Sequence, residues 1–202
     1  MLNLIRKDIV LQKKTLMILL PLLFAYLFIG TSTIWVGVLF SIAIIMQSFS
    51  MDEKSSIHLL LNSLPYTRKE IVSSKYLGAC VFMFIIVLTI IIGNLIIQRE
   101  MIQWKQLLLL TGIVAVFISF AFPFAYLFKS QYLMVVFAVS FVLYFIIVGK
   151  FIPDLNDRLR EFIQIVLSID NSLFYLGVML SVVLLYVLSW LLSICIYSRK
   201  VL

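Results

Sequence analysis

Apolar residues run along this chain in long blocks broken by short polar clusters, with neither the two-residue alternation of a half-buried strand nor the stripe of a soluble helix. A hydrocarbon layer of about 30 Å takes about 20 residues of helix. Six blocks approach that length, at 16–29, 33–49, 76–97, 107–128, 132–149 and 173–197. The first two are divided by the turn-like GTST at 30–33, and together they are too long for one span. The pattern therefore predicts an all-α polytopic membrane protein with six transmembrane helices, a single domain over residues 1–202.

Composition agrees: 64% of the 202 residues are hydrophobic and 12% charged, against roughly 45–50% and 25% in soluble domains. The basic opening MLNLIRKDIVLQKK leads into an apolar run with no small-residue cleavage site, so the first span is expected to stay. Six spans put both termini on one side. The loops of that side carry eleven of the 16 basic residues, namely Arg6, Lys7, Lys13, Lys14, Lys54, Arg68, Lys69, Lys75, Lys129, Arg199 and Lys200. Only Arg99, Lys105, Lys150, Arg158 and Arg160 fall on the other side, which predicts cytoplasmic termini and accounts for the net charge of +7 without nucleic acid.

Catalytic chemistry leaves little trace. Ionisable residues inside spans are costly and mark function, and none lies near a predicted span centre. His58, the single histidine, sits in a loop, and HExxH, GxSxG and the phosphate-cradling GxxxxGK[ST] are all missing. No metal site is expected, and any ATP used must be bound by another chain. Cys80 and Cys195 lie in separate apolar runs without CxxC spacing, which suits small core residues.

The most informative stretch is MDEKSSIHLLLNSLPYTRKEIVSSKY, residues 51–76. Asp52 and Glu53 precede Ile57, Leu60, Leu61 and Leu64, the spacing of a short helix with one apolar side and acids at its positive end. Pro65 breaks it. Thr67 and Glu70 then have the S/T-x-x-E spacing of a capping box, so a new helix is predicted to start there and run into the third span, with Arg68, Lys69 and Lys75 at the lipid headgroups. An interfacial hairpin anchored by basic residues would show the same features.

The run NSLPYTRKEIVSSKYLG, preceded by FSMDEKS and by the opening MLNLIRKDI, resembles the permease subunits of type-2 ABC exporters, in particular small bacterial ones encoded apart from their ATPase. The resemblance implies an N-terminal elbow helix at 1–14 on the inner surface and a coupling helix within 51–70 that docks into the ATPase. Carried over residue by residue, Asp52, Glu53, Lys54, Ser55, His58, Asn62, Ser63, Leu64 and Pro65 form or flank the docking element, and Arg68, Lys69 and Glu70 fix the following helix. It also implies ABC ATPase subunits holding ATP and Mg, a second permease chain, identical or related, and a place in the bacterial cytoplasmic membrane.

On the other side, 150–170 places Leu155, Leu159, Phe162, Ile163 and Val166 along one helical face, with Asp154 four residues before Arg158, predicting an outer amphipathic helix. The sparse polar and kink residues of the spans, Gln47, Ser48, Thr89, Asn94, Ser119, Pro123 and Ser140, are pathway or dimer candidates, each also a plausible packing residue. Small-xxx-small pairs at Gly37/Ser41 and Ala121/Ala125 suit close helix contact. Phe120 and Phe124 belong to an aromatic run around Pro123 that fits either an amphipathic, lipid-like substrate or contact with membrane lipid itself. Two rival functions have similar gross features: a substrate-binding membrane subunit of an energy-coupling importer, which needs an outward polar pocket, and a membrane immunity protein. Direct ATPase binding separates the first reading from both.

Overall fold

A computed structural model describes residues 2–28, 33–54, 67–97, 99, 102–128, 135, 139, 142, 143, 146, 155–169 and 171–199. Among them are six helices: α1 (Leu2–Phe28), α2 (Thr33–Lys54), α3 (Arg68–Ile97), α4 (Trp104–Leu127), α5 (Leu155–Ser168) and α6 (Ser172–Arg199). Five of these, all but α5, are long and apolar enough to cross a membrane. Each contains most of one apolar block, but α1 and α3 begin well before theirs and α2 runs past its own. The predicted fifth span and the turn after α1 fall largely outside the described residues.

Neighbouring contacts run α1–α3–α6–α4–α2 and back to α1, and a further contact of α2 with α3 divides this ring. α2 therefore lies at the centre, with Ile42, Ile44, Ile45 and Phe49 buried, whereas α6 turns most of its leucines and valines outward. Lipid is as apolar as leucine, so helices here gain no water-driven attraction for one another; close packing and interhelical hydrogen bonds must hold them. Gly37 supplies the closest approach. A Cβ there would overlap Leu110 Cδ1 and come within 2.7 Å of Ile90 Cδ1, and both partners are fully buried with no room to retreat. Ser41, one turn on, is fully buried too.

Two helix starts have visible causes. Thr67 and Glu70 form the anticipated reciprocal cap: Thr67 N–H donates to Glu70 Oε2 at 2.9 Å and Glu70 N–H to Thr67 Oγ1 at 3.3 Å. At α6, Asn171 Oδ1 accepts the Leu173 N–H at 3.0 Å, satisfying one amide that the helix cannot.

Three expectations need correction, while the segment read as an elbow is continuous with the first span, α1 running unbroken from Leu2 with Pro21 on its exposed side. Its buried positions, Leu4, Asp8, Gln12, Leu16, Leu23 and Leu27, repeat at fours and sevens along one stripe that carries the basic segment into the bundle. Cys80 and Cys195 are exposed rather than core, since a weakly polar thiol is equally at home facing lipid. On α5, Ile163 and Leu167 pack on the core, but Phe162 is 63% exposed, so the packed face is rotated from the one predicted. Lys75, expected at the headgroups, is buried.

Gly37→Val is predicted to lower stability by about 1–3 kcal/mol through overpacking, read as a lower thermal midpoint in detergent. Gly112→Ala, where an added Cβ meets nothing within 4 Å, serves as the control that leaves the midpoint unchanged or higher.

Candidate functional site

The ends of α2 and α3 that flank residues 55–66 meet the N-terminal half of α1, and they meet through charge. Lys75 Nζ lies 3.0 Å from Asp8 Oδ2, with the two side chains 6% and 3% exposed. The same ammonium donates to Ser48 Oγ at 3.0 Å and stands 5.6 Å from the centre of the Phe49 ring. Three helices thus converge on one cation. Lys7 Nζ approaches the second oxygen of Asp8 at 3.2 Å from the surface side. Gly78, one turn beyond Lys75, leaves room for the carboxylate, since a Cβ there would sit 3.7 Å from Asp8 Oδ2.

One turn further along α1, Gln12 is almost completely buried and donates from Nε2 to the carbonyl of Ile44 at 3.1 Å. Its Oε1 has no hydrogen-bond partner among the described residues. An isolated buried charge in hydrocarbon is unsustainable; a pair that also uses a hydroxyl and an aromatic face is tolerated. The cluster therefore fixes the relative positions of α1, α2 and α3 at this end.

A second polar seam joins α3 to α6 and α4. Tyr76 Oη is shared between Ser189 Oγ at 2.7 Å and Ser193 Oγ at 2.8 Å. Tyr186 Oη donates to the Tyr76 carbonyl at 2.8 Å, Trp190 Nε1 to Ser73 Oγ at 3.1 Å, and Ser189 Oγ to the Ser119 carbonyl at 2.6 Å. The ring of Tyr76 also packs edge-on against Phe122, which in turn meets Phe49. Arg68, at the first turn of α3, closes the seam by donating to the carbonyls of Tyr197 and Ser198 at 3.3 and 2.9 Å, where α6 leaves its last acceptors open.

The predicted docking residues divide accordingly. Asp52, Glu53 and Lys54 form the last turn of α2, while Ser55, His58, Asn62, Ser63, Leu64 and Pro65 lie outside the described residues. Lys69 is exposed, Arg68 binds α6, and Glu70 caps α3. The pathway candidates do not gather in one place. Ser48 belongs to the charged cluster; Gln47 is half-buried beside it in sequence. Thr89 and Ser119 return their hydroxyls to Ile85 and Ala115 carbonyls within their own helices. Asn94 is buried at the far end of α3, its Oδ1 without a hydrogen-bond partner among the described residues. Pro123 is buried within an uninterrupted α4, Phe120 and Phe124 are half-exposed on its outer side, and Ser140 is outside the described residues.

Asp8, Gln12 and Lys75 were not among the sequence candidates. Asp8 and Lys75 sit in strings of surface-type charges, and only the stripe of α1, on which positions 8 and 12 fall between Leu4 and Leu16, could have revealed two of them. Asp8→Leu or Lys75→Met alone is predicted to cost about 3–5 kcal/mol by leaving its partner charged and buried, while the joint substitution recovers most of that loss. Thermal midpoints of the four proteins in detergent check the cycle.

Comparison with curated proteins and with solved structures returns no match. A family model described as ABC-2 family transporter protein matches residues 3–198, nearly the whole chain, and the charged cluster lies within it. This multi-pass membrane chain belongs to the ABC-2 transporter family, as a permease component that works with ABC ATPases and is not itself the catalyst.

Proposed function

We propose that the chain is the permease half of an ATP-driven exporter in the bacterial cytoplasmic membrane, paired with a second permease chain and two separate ATPases. Its termini and the α2–α3 connection face the cytoplasm, as the loop charges favour. The ATPases dock on residues 51–70 and hold the ATP and Mg. The observation that carries this reading is the construction at the roots of that connection. α2 continues to Lys54, α3 begins at a reciprocal cap, and both are tied to α1 through Lys75 and to α6 through Tyr76 and Arg68. A movement imposed on the connection has stiff levers and polar fasteners to carry it into four helices.

Alternating access then follows in outline: ATP closes the ATPase pair, the connection moves with it, and α3 displaces α6 and α1 around α2. The exported compound is amphipathic or hydrophobic, such as a peptide, an antimicrobial or a lipid-like molecule, because the described spans offer it aromatic and aliphatic surface rather than charge. A binding subunit of an energy-coupling importer would need a polar outward pocket, and the cleft found among the described residues at the end away from the connection is apolar.

The reading predicts that Glu53→Ala and Leu64→Asp separate ATP hydrolysis from export in the complex reconstituted with its ATPase, while insertion and folding persist. Coupling energies of about 1–3 kcal/mol correspond to losses of about 5- to 150-fold. Export at the wild-type rate by both variants, at equal expression, would contradict it.

A further inference from the structure

A proline inside a helix withholds the N–H that the carbonyl four residues earlier would accept. In α4 the proline is Pro123, so the carbonyl left over is that of Ser119. Both residues are buried, and solvent does not replace the missing donor. The donor comes from α6 instead: Ser189 Oγ reaches the Ser119 carbonyl at 2.6 Å. Spans tolerate proline where a neighbouring helix satisfies the freed group in this way.

A hydroxyl has one proton to give. Ser189 gives its proton to Ser119, so toward Tyr76 Oη, 2.7 Å away, it accepts. Tyr76 therefore donates to Ser189 and takes its own bond from Ser193 at 2.8 Å. The result is a chain with one direction, from Ser193 through Tyr76 and Ser189 to Ser119, which joins α3 and α6 to α4 at the turn where the α4 backbone lacks a bond. The Tyr76 ring reinforces it, packing edge-on against Phe122 at 4.8 Å beside the proline. On one side of this joint, Tyr76 lies about 12 Å along α3 from the capped start of that helix, at 1.5 Å per residue. On the other, the arm of α4 from Trp104 to Ser119 is about 22 Å long. Leu108, Gly112 and Val116 on that arm border the apolar cleft between α4, α5 and α6.

We propose that Ser189 is a positioning residue for transport: it fastens a hinge of α4 at Ser119 and Pro123 to Tyr76, so that a shift of α3 swings the arm 104–118 against α5 and α6. The missing backbone bond makes this turn the place where α4 bends, and the hydroxyl chain ties the bend to α3. That ATP drives the swing rests on the reading of residues 51–70 as the ATPase docking site; that Ser189 holds the freed carbonyl does not.

Two measurements test the proposal. Ser189→Ala removes the donor to Ser119 but leaves Tyr76 able to donate to Ser193, so the loss is confined to one buried carbonyl. The thermal midpoint in detergent is expected to fall by at least about 2–4 °C. Pro123→Ala supplies the missing N–H, and in that protein the same serine substitution is expected to lower the midpoint far less. Equal penalties with and without the proline overturn the proposal. The second measurement uses the full chain assembled with its ATPase and carrying Cys80→Ser and Cys195→Ser. Spin labels are placed through Trp35→Cys and Gln103→Cys, at exposed positions where α2 and α4 begin. Trapping with ATP and vanadate is expected to change the distance between the labels in the parent and in Ser189→Thr. The distance is expected to stay fixed in Ser189→Ala and in the joint Pro123→Ala and Ser189→Ala protein, although the latter has its stability restored. A purely structural serine would let the joint variant move like the parent, and that result overturns the proposal. So does a fixed distance in the parent while the complex hydrolyses ATP. The docking reading is judged separately, by whether the ATPase binds residues 51–70.

Discussion

A lysine ammonium and an aspartate carboxylate, nearly withdrawn from solvent among membrane helices, must find each other or force the chain to expose them. Lys75 and Asp8 do find each other, and Ser48 completes the contact, so α1, α2 and α3 have one common point of attachment. The rest of the bundle grows from there. α2 is held at the centre by the charge at one end and by the close approach of Gly37 to Leu110 and Ile90 nearer the other. α6, whose outer side is almost wholly apolar, is retained by hydrogen bonds: the Ser189 and Ser193 hydroxyls meet Tyr76, and its terminal carbonyls accept from Arg68.

That distribution of fasteners is uneven along the membrane normal. The end bearing the α2–α3 connection is fixed by an ion pair, a capped helix start and a guanidinium on a helix terminus. At the opposite end, α5 packs through Ile163 and Leu167 and is tied by Lys105 of α4 on the Leu167 and Ile169 carbonyls and by Tyr175 of α6 on the Val166 carbonyl, and the contacts beside it leave a cleft. On the proposed reading, movement enters at the end that holds the ion pair and the capped helix start.

The sequence made the spans legible because their signal is length and hydropathy, which lipid demands whatever the packing. It also revealed the Thr67/Glu70 cap, a local device whose two partners are three residues apart. What escaped it was the direction each side chain faces. In water, polarity points outward and periodicity reports the core; in lipid both sides of a helix are apolar, so Cys80 and Cys195 read as inward residues and turned out exposed. Lys75 failed in the opposite sense. Its neighbours Arg68 and Lys69 suggested a headgroup cluster, and nothing local announces that Asp8, 67 positions earlier, would neutralise it. Continuity of α1 was hidden for the same reason, because its basic residues looked like the end of the membrane when they are the outer side of a helix whose other side is packed.

The central claim is that the α2–α3 connection is where the ATPase engages the permease. The most direct measurement is cross-linking in the assembled complex, with Cys80→Ser and Cys195→Ser removing the native thiols and a reactive thiol introduced by His58→Cys or, at the opposite end, by Asn171→Cys. The account predicts a cross-link to the ATPase from position 58 and none from position 171. A cross-link from position 171 alone, or from neither position in a complex that hydrolyses ATP, would contradict it.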